Sequence, residues 1–176
     1  MGQRALFLDR DGIINIDYGY VYRQEEFHFI DGVFELVAAA KQLGYLVIIV
    51  TNQSGIGRGY YTETDFQMLM IWVKKQFAEQ GGAIDDVYFC PEHPTHGKGV
   101  YRRETIMRKP APGMFLKAAK TWNIDLSESV SVGDSETDIE ASQLAGIGRI
   151  CYMGKTFNHN GCVKNVSNPV QVISLL

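Results

Sequence analysis

Ala5-Leu6-Phe7-Leu8-Asp9-Arg10-Asp11-Gly12-Ile13-Ile14 is an apolar run that stops in two aspartates, one residue apart, followed at once by glycine. Four consecutive apolar residues suit a strand buried on both faces, as in a parallel sheet covered by helices. Such strands present their chemistry at their C-terminal ends, so the two carboxylates stand where ligands bind. Period-two alternation points Asp9 and Asp11 the same way, and Gly12 permits a sharp turn or the close approach of a ligand to the backbone. The pair can hold a cation, attack an electrophile or do both. Read alone, it is equally a strand that runs out into a solvated acidic turn.

Outward from this strand the pattern alternates. An irregular aromatic segment, roughly 13–30, carries Tyr18, Tyr20, Tyr22, Phe27 and Phe29 and is too long for a simple connection, so it reads as a site-covering loop or a small hairpin. Asp31 stands as the N-cap of a helix with Val33, Leu36, Val37, Ala40 and Leu43 on its apolar face and Gly44 at its end. A buried strand over 45–50 ends at Thr51, and a glycine-rich loop, Ser54-Gly55-Ile56-Gly57-Arg58-Gly59, follows. Thr62 with Asp65 resembles a capping box, opening a helix whose core face is Phe66, Leu69, Met70, Val73 and Phe77. Strands over 86–90, 129–132 and 149–152 alternate with helices over 113–122 and 138–145, and Asn168-Pro169 caps a short C-terminal helix. This alternation predicts an α/β fold in one domain spanning 1–176: a three-layer, Rossmann-like open parallel sheet with helices on both faces and right-handed crossovers.

Composition narrows the function. The 176 residues are 45% apolar and 21% charged, and 17 basic against 20 acidic side chains give a net charge of -3. No basic field for nucleic acid or a membrane surface is present. No apolar run approaches membrane-spanning length, and Met1-Gly2-Gln3-Arg4 leads into the first strand without a signal-peptide pattern, so a cytoplasmic location is expected. Cys90, Cys151 and Cys162 are odd in number and widely spaced, unlike a disulfide framework. No heptad or large apolar stripe asks for a partner, which leaves a monomer as the expectation. Gly55-x-Gly57-x-Gly59 lacks the spacing of a dinucleotide loop.

The convergence of strand ends carries more weight than any one motif. The first strand delivers Asp9 and Asp11, the second Thr51-Asn52, the segment before the 113–122 helix Arg108-Lys109, and the fourth Gly133-Asp134 with Asp138 beyond. In a doubly wound sheet all four meet at one edge. Carboxylates, a hydroxyl and two cations suit a hard cation together with a phosphate, and Mg²⁺ prefers a few carboxylate oxygens plus water and phosphate oxygens. Lys109 and Thr51 are placed to orient phosphoryl oxygens, where charge stabilisation does most of the catalytic work.

In this order the residues resemble the four motifs of the haloacid dehalogenase superfamily of phosphotransferases: Asp9-x-Asp11-Gly12, Thr51, Lys109, and Gly133-Asp134-x-x-x-Asp138. The resemblance implies that Asp9 is a nucleophile forming an aspartyl-phosphate and that Asp11 manages the protons of the leaving oxygen and the hydrolytic water. It implies Mg²⁺ on Asp9, Asp134 and the backbone carbonyl of Asp11, with Thr51 and Lys109 on the phosphoryl group. Asp138 either orients its neighbours or caps the following helix.

The chain is too short for the large cap domain of many members, and it is most similar to the capless branch that contains phosphatases of heptose bisphosphate and of histidinol phosphate. Asn15 to Val21 and Thr51 to Gly59 look like the loops of the heptose side of that branch. The resemblance puts a small phosphosugar among Asp17, Tyr18, Gly19, Tyr20, Asn52, Gln53, Ser54 and Arg108, with Arg58 either a contact to the second phosphate or a loop cation, and the tyrosines either contacts or loop packing. Two other readings stay open, a histidinol-phosphate phosphatase and a catalytically silent phosphosugar-binding domain. Many relatives hold structural zinc in the loop before Lys109 through a Cys-x-His and a Cys-x-Cys pair. Here Glu92 stands at the first histidine position and Thr105 and Met107 replace the second pair, so Cys90, His93 and His96 fall short of four ligands.

Overall fold

The computed structural model describes residues 2–155 and 161–176. Its strands are β1 (Ala5–Leu8), β2 (Leu46–Asn52), β3 (Asp86–Cys90), β4 (Val130–Gly133), β5 (Arg149–Tyr152) and β6 (Val163–Asn165). Its α-helices are α1 (Val33–Gln42), α2 (Ser54–Arg58), α3 (Glu63–Glu79), α4 (Gly113–Trp122) and α5 (Glu136–Ala145). The strands pair in the order β3-β2-β1-β4-β5-β6, every neighbour parallel. The direction of winding reverses between β1 and β4, and open sheets of this kind bind ligands outside the strand C-termini at that switch point.

Period-two alternation sorts the sheet into two apolar layers. Leu6 and Leu8 of β1, with Val47 and Ile49 of β2, pack with Leu36 and Val37 of α1 and with Phe66 and Val73 of α3. Ala5 and Phe7, with Ile48 and Val50, pack with Met114 and Phe115 of α4 and Ile139 of α5. Phe7 meets Phe115 edge to face with ring centroids 5.1 Å apart. The described residues include no separate cap domain, so loops alone surround the strand ends.

Several local expectations change. The N-cap of α1 is Gly32 in a left-handed conformation, not Asp31, and no side chain caps that end. The glycine-rich segment after β2 is not a loop but the short helix α2, closed by Gly59 at positive φ. Helix α5 starts before Asp138, because Ser135 is its N-cap and Asp138 completes a capping box with it. The Thr62–Asp65 capping box forms as read. The 13–30 segment folds back as a small hairpin, with Ile16 N donating to His28 O and Ile30 N to Ile14 O, each at 2.9 Å. Strand β6 was not anticipated: its three residues carry too little pattern, and only its pairing to β5 makes it a strand. Met1 and part of the weakly patterned stretch after Tyr152 lie outside the described residues.

Replacing Phe115 by Ala opens a cavity against Phe7 and costs about 3–5 kcal/mol in urea unfolding. Leu116→Ala, on the outer side of the same helix, changes stability by no more than about 0.5 kcal/mol.

Candidate active site

Asp9 follows the last residue of β1, and its backbone N–H donates to Val132 O of β4 at 3.1 Å. The chain then turns tightly, with Ile14 N donating to Arg10 O at 2.8 Å. Gly12 sits in this turn at φ +89°, and a Cβ there would run into the Asp134 carboxylate, so two strand ends approach closely only because the side chain is missing.

Lys109 reaches the same point from the segment before α4. Its Nζ lies 3.0 Å from Asp9 Oδ1 and 2.5 Å from Asp138 Oδ1, and donates to Val50 O at 2.9 Å. Asn52 at the end of β2 fixes the lysine backbone: its Nδ2 donates to Lys109 O at 3.0 Å and its Oδ1 accepts Lys109 N–H at 3.1 Å. The other Asp138 oxygen accepts from the backbone N–H groups of Asp134 and Ser135 at 3.2 and 3.1 Å and from Ser135 Oγ at 2.7 Å. Of the two readings of Asp138 the structure realises both: it caps α5 and it holds Lys109.

The charges follow from this geometry. Burial alone would lower the Lys109 ammonium, but Asp138 and Asp9 overcome it and hold it above its usual range. Burial would raise Asp138, yet Lys109 and the Ser135 bonds keep it low. Asp9 is pushed up, first by burial and then by Asp138, with Lys109 opposing. Asp134 rises to about 6 through burial and the charge of Asp138. Asp9, Asp134 and Asp138 offer oxygens within 4.8 Å of one another. Asp138 is fully engaged by the lysine and the helix N-terminus, which leaves Asp9 and Asp134 for a hard cation. Both stay raised although Lys109 opposes the shift, so one ammonium does not balance the cluster, and the two carboxylates suit an oxygen-coordinated Mg²⁺.

Asp11 belongs to a different network. Its Oδ1 accepts from Arg10 Nη2 at 2.6 Å and from Asn15 Nδ2 at 3.0 Å, and its Oδ2 accepts from Gln53 Nε2 at 3.0 Å. Gln53 also donates to Thr51 Oγ1 at 2.8 Å and accepts from Tyr61 Oη at 2.6 Å. Burial pushes the Tyr61 hydroxyl up to about 12, so it stays a donor. The carboxylate of Asp11 therefore stands outside the metal trio, and any contribution to a cation falls to its main chain. Arg10, Asn15 and Tyr61 were missed from sequence. Arg10 is wholly buried between motif aspartates, a burial that an apolar strand followed by a charged turn does not announce.

A cavity of about 470 Å³ opens over these groups. Asp9, Asp11, Thr51, Lys109, Asp134 and Asp138 line it, and so do Asp17, Gly19, Tyr20, Asn52, Gln53 and Ser54. Tyr18, Arg58 and Arg108 do not. Tyr18 lines an adjoining hollow with Tyr60 and His28, because the turn at Gly19 directs it away. Arg58 lies at the end of α2 with its guanidinium 5.8 Å from the Tyr20 ring, and its buried Nε has no hydrogen-bond partner among the described residues. Arg108 donates to Glu92 O at 3.2 Å, and burial and then Arg58 hold it below its usual range. Tyr20 itself, at φ 54°, is one of the two non-glycine residues at positive φ among the described residues; such strain concentrates where ligands bind.

Carboxylates, a hydroxyl and a buried ammonium at the switch point of a parallel sheet define a metal-assisted phosphoryl-transfer site. A HAD-hydrolase-like family model matches residues 106–174. The D-glycero-α-D-manno-heptose-1,7-bisphosphate 7-phosphatase of Burkholderia mallei is 53% identical, over 100% of this chain and 95% of its own length. The D-glycero-β-D-manno-heptose-1,7-bisphosphate 7-phosphatase of Vibrio cholerae is 50% identical over 84% of this chain and 80% of its own. Among solved structures, a D,D-heptose 1,7-bisphosphate phosphatase from B. bronchiseptica, complexed with magnesium and phosphate, superposes with a TM-score of 0.86 at 26% identity, covering 98% of this chain and 97% of that one. The chain belongs to the haloacid dehalogenase superfamily, in its capless branch, and is closely related to the heptose bisphosphate phosphatases.

Without a cation, a carboxyl raised in the folded state stabilises the fold below its unfolded value of 3.8 and loses that stability as pH rises through its folded value, about 6 for Asp134. Mg²⁺ therefore raises the melting temperature more at about pH 8 than at about pH 5, where protons compete for the same oxygens. Thermal melts with and without Mg²⁺ check this, and equal shifts at both pH values contradict it.

Proposed function

We propose that this chain is a Mg²⁺-dependent phosphatase that removes the 7-phosphate of D-glycero-D-manno-heptose 1,7-bisphosphate through an aspartyl-phosphate on Asp9. The observation that carries the reading is the 53% identity with the Burkholderia mallei phosphatase over the whole chain.

The residues divide the work. A carboxylate oxygen of Asp9 attacks phosphorus, and the Lys109 ammonium, 3.0 Å from Asp9 Oδ1, lowers the repulsion between that carboxylate and the incoming phosphate. Asp11, oriented by Arg10, Asn15 and Gln53, gives its proton to the departing sugar oxygen. It then takes a proton from water, whose oxygen attacks phosphorus, frees inorganic phosphate and returns Asp9. When bound between Asp9 and Asp134, Mg²⁺ supplies the charge that keeps both ionised and offsets the phosphoryl oxygens. Thr51, whose hydroxyl is oriented by Gln53, holds a phosphoryl oxygen.

The sugar lies along the rim. Asp17, whose Oδ1 is fixed by the Gly19 N–H at 2.8 Å, accepts from sugar hydroxyls. Tyr20 provides a wall, backed by Tyr60 at 4.8 Å between centroids. Beyond them stand two cations, Arg58 and Arg108: after burial, each lowers the neighbouring His93 from its ordinary value, and Arg58 likewise lowers Arg108. Mutual repulsion among cations is relieved by an anion, and the second phosphate of the substrate is that anion.

Asp9→Asn lowers kcat by about 10³-fold or more and abolishes the acid-stable phosphoenzyme detected by mass spectrometry of quenched reactions. Undiminished phosphate release excludes Asp9 as nucleophile. Arg108→Ala raises KM for the bisphosphate by about tenfold, and by less for p-nitrophenyl phosphate, which has no second phosphate. Equal losses on the two substrates remove Arg108 from the second-phosphate patch.

A further inference from the structure

The loop between β3 and α4 is where the family resemblance implies a structural zinc, and its side chains do not fit one. Cys90 Sγ is buried and donates to Glu92 Oε2 at 3.2 Å. His93 Nδ1 accepts the backbone N–H groups of Thr95 and His96 at 3.2 and 3.1 Å. Thr105 Oγ1 accepts Met107 N–H at 3.1 Å, and Met107 packs into the core beside α4. Among the described residues no cysteine or histidine joins a metal-type cluster.

Glu92 takes the central place. Its Oε1 accepts from Arg103 Nη2 at 2.6 Å, its Oε2 accepts the Cys90 thiol, and its backbone oxygen accepts Arg108 Nη1 at 3.2 Å. One residue thus joins the end of β3 to two separate points further along the loop. The loop is also seated on α2: Lys98 N donates to Gly57 O at 2.8 Å, and a Cβ on Gly57 would strike the Pro91 carbonyl. The helix so pressed carries Arg58.

We propose that Glu92, braced by Arg103, is a positioning residue for substrate specificity: its hydrogen-bonded ion pair fixes the loop backbone that orients the Arg108 guanidinium. The proposal rests on the assignment of Arg108 to the second phosphate. Glu92 touches neither phosphate nor the reacting atoms. Its carboxylate anchors the backbone whose oxygen orients Arg108, and a planar guanidinium must be oriented before it grips a phosphate with two parallel bonds.

The test is a KM-against-kcat comparison on two substrates. Glu92→Gln and Arg103→Ala each raise KM for heptose 1,7-bisphosphate about tenfold with turnover changed by less than about twofold, and leave KM for p-nitrophenyl phosphate unmoved. Arg103→Lys, which retains the charge, recovers most of the loss, and elemental analysis of the purified wild-type chain finds no stoichiometric zinc. Equal KM increases on both substrates with a lowered melting temperature reduce Glu92 to a general support of the loop and overturn the proposal. So does a full equivalent of zinc whose chelation raises KM. If Arg108→Ala raises KM while Glu92→Gln does not, the positioning claim alone fails. If Arg108→Ala is itself silent, the assignment of the second phosphate fails and takes the proposal with it.

Discussion

A single buried ammonium organises this site. Lys109 is 3% exposed, and taking its charge out of water costs several kcal/mol unless carboxylates surround it. Asp9 and Asp138 do so at 3.0 and 2.5 Å, and each brings its own element with it. Asp9 brings the end of β1, and Asp138 brings the N-terminus of α5 together with the Asp134 turn after β4. The Asn52 amide, bonded twice to the lysine backbone, adds β2. Four stretches far apart in sequence thus meet around one Nζ.

The same charges explain why a cation belongs there. Three clustered carboxylates face one lysine, and the two that Lys109 cannot fully satisfy, Asp9 and Asp134, are the ones pushed above their ordinary range. That imbalance favours a divalent ion, and it is the arrangement a phosphoryl-transfer site requires, because the ion and the ammonium together offset the charge of the phosphate. Asp11 is kept out of this cluster by Arg10, Asn15 and Gln53, so two carboxylates within a stretch of three residues belong to separate networks.

Sequence made the framework legible because strand and helix periods are local. The β1 run, the Thr62–Asp65 box and the 86–90, 113–122 and 149–152 elements needed no long-range information. The convergence of Asp9, Thr51, Lys109 and Asp134 was equally readable, since a parallel sheet obliges strand ends to share an edge. What stayed hidden depends on contacts between distant residues. Neither the buried Arg10 beneath Asp11 nor the Tyr61–Gln53 bond has a local signature. Helix α2 was hidden by its glycines, which are there for tight packing against neighbours rather than for a loop. Tyr18, Arg58 and Arg108 came from resemblance to the family's loops, which does not show which side chains line the cavity: Tyr18 lines the adjoining hollow instead, and the two arginines are not among the lining residues.

Asp17 lines the cavity, Arg58 and Arg108 lie outside its lining, and the charge cluster stands at its floor. A double-mutant cycle in urea without Mg²⁺ measures the coupling within the Lys109 charge cluster. Lys109→Met alone leaves Asp9 and Asp138 buried without their partner and costs about 3–5 kcal/mol, whereas adding Asp138→Asn to Lys109→Met removes one of the stranded charges and recovers a substantial part of that loss. A neutral Lys109→Met, or a double variant whose losses simply add, would contradict that coupling.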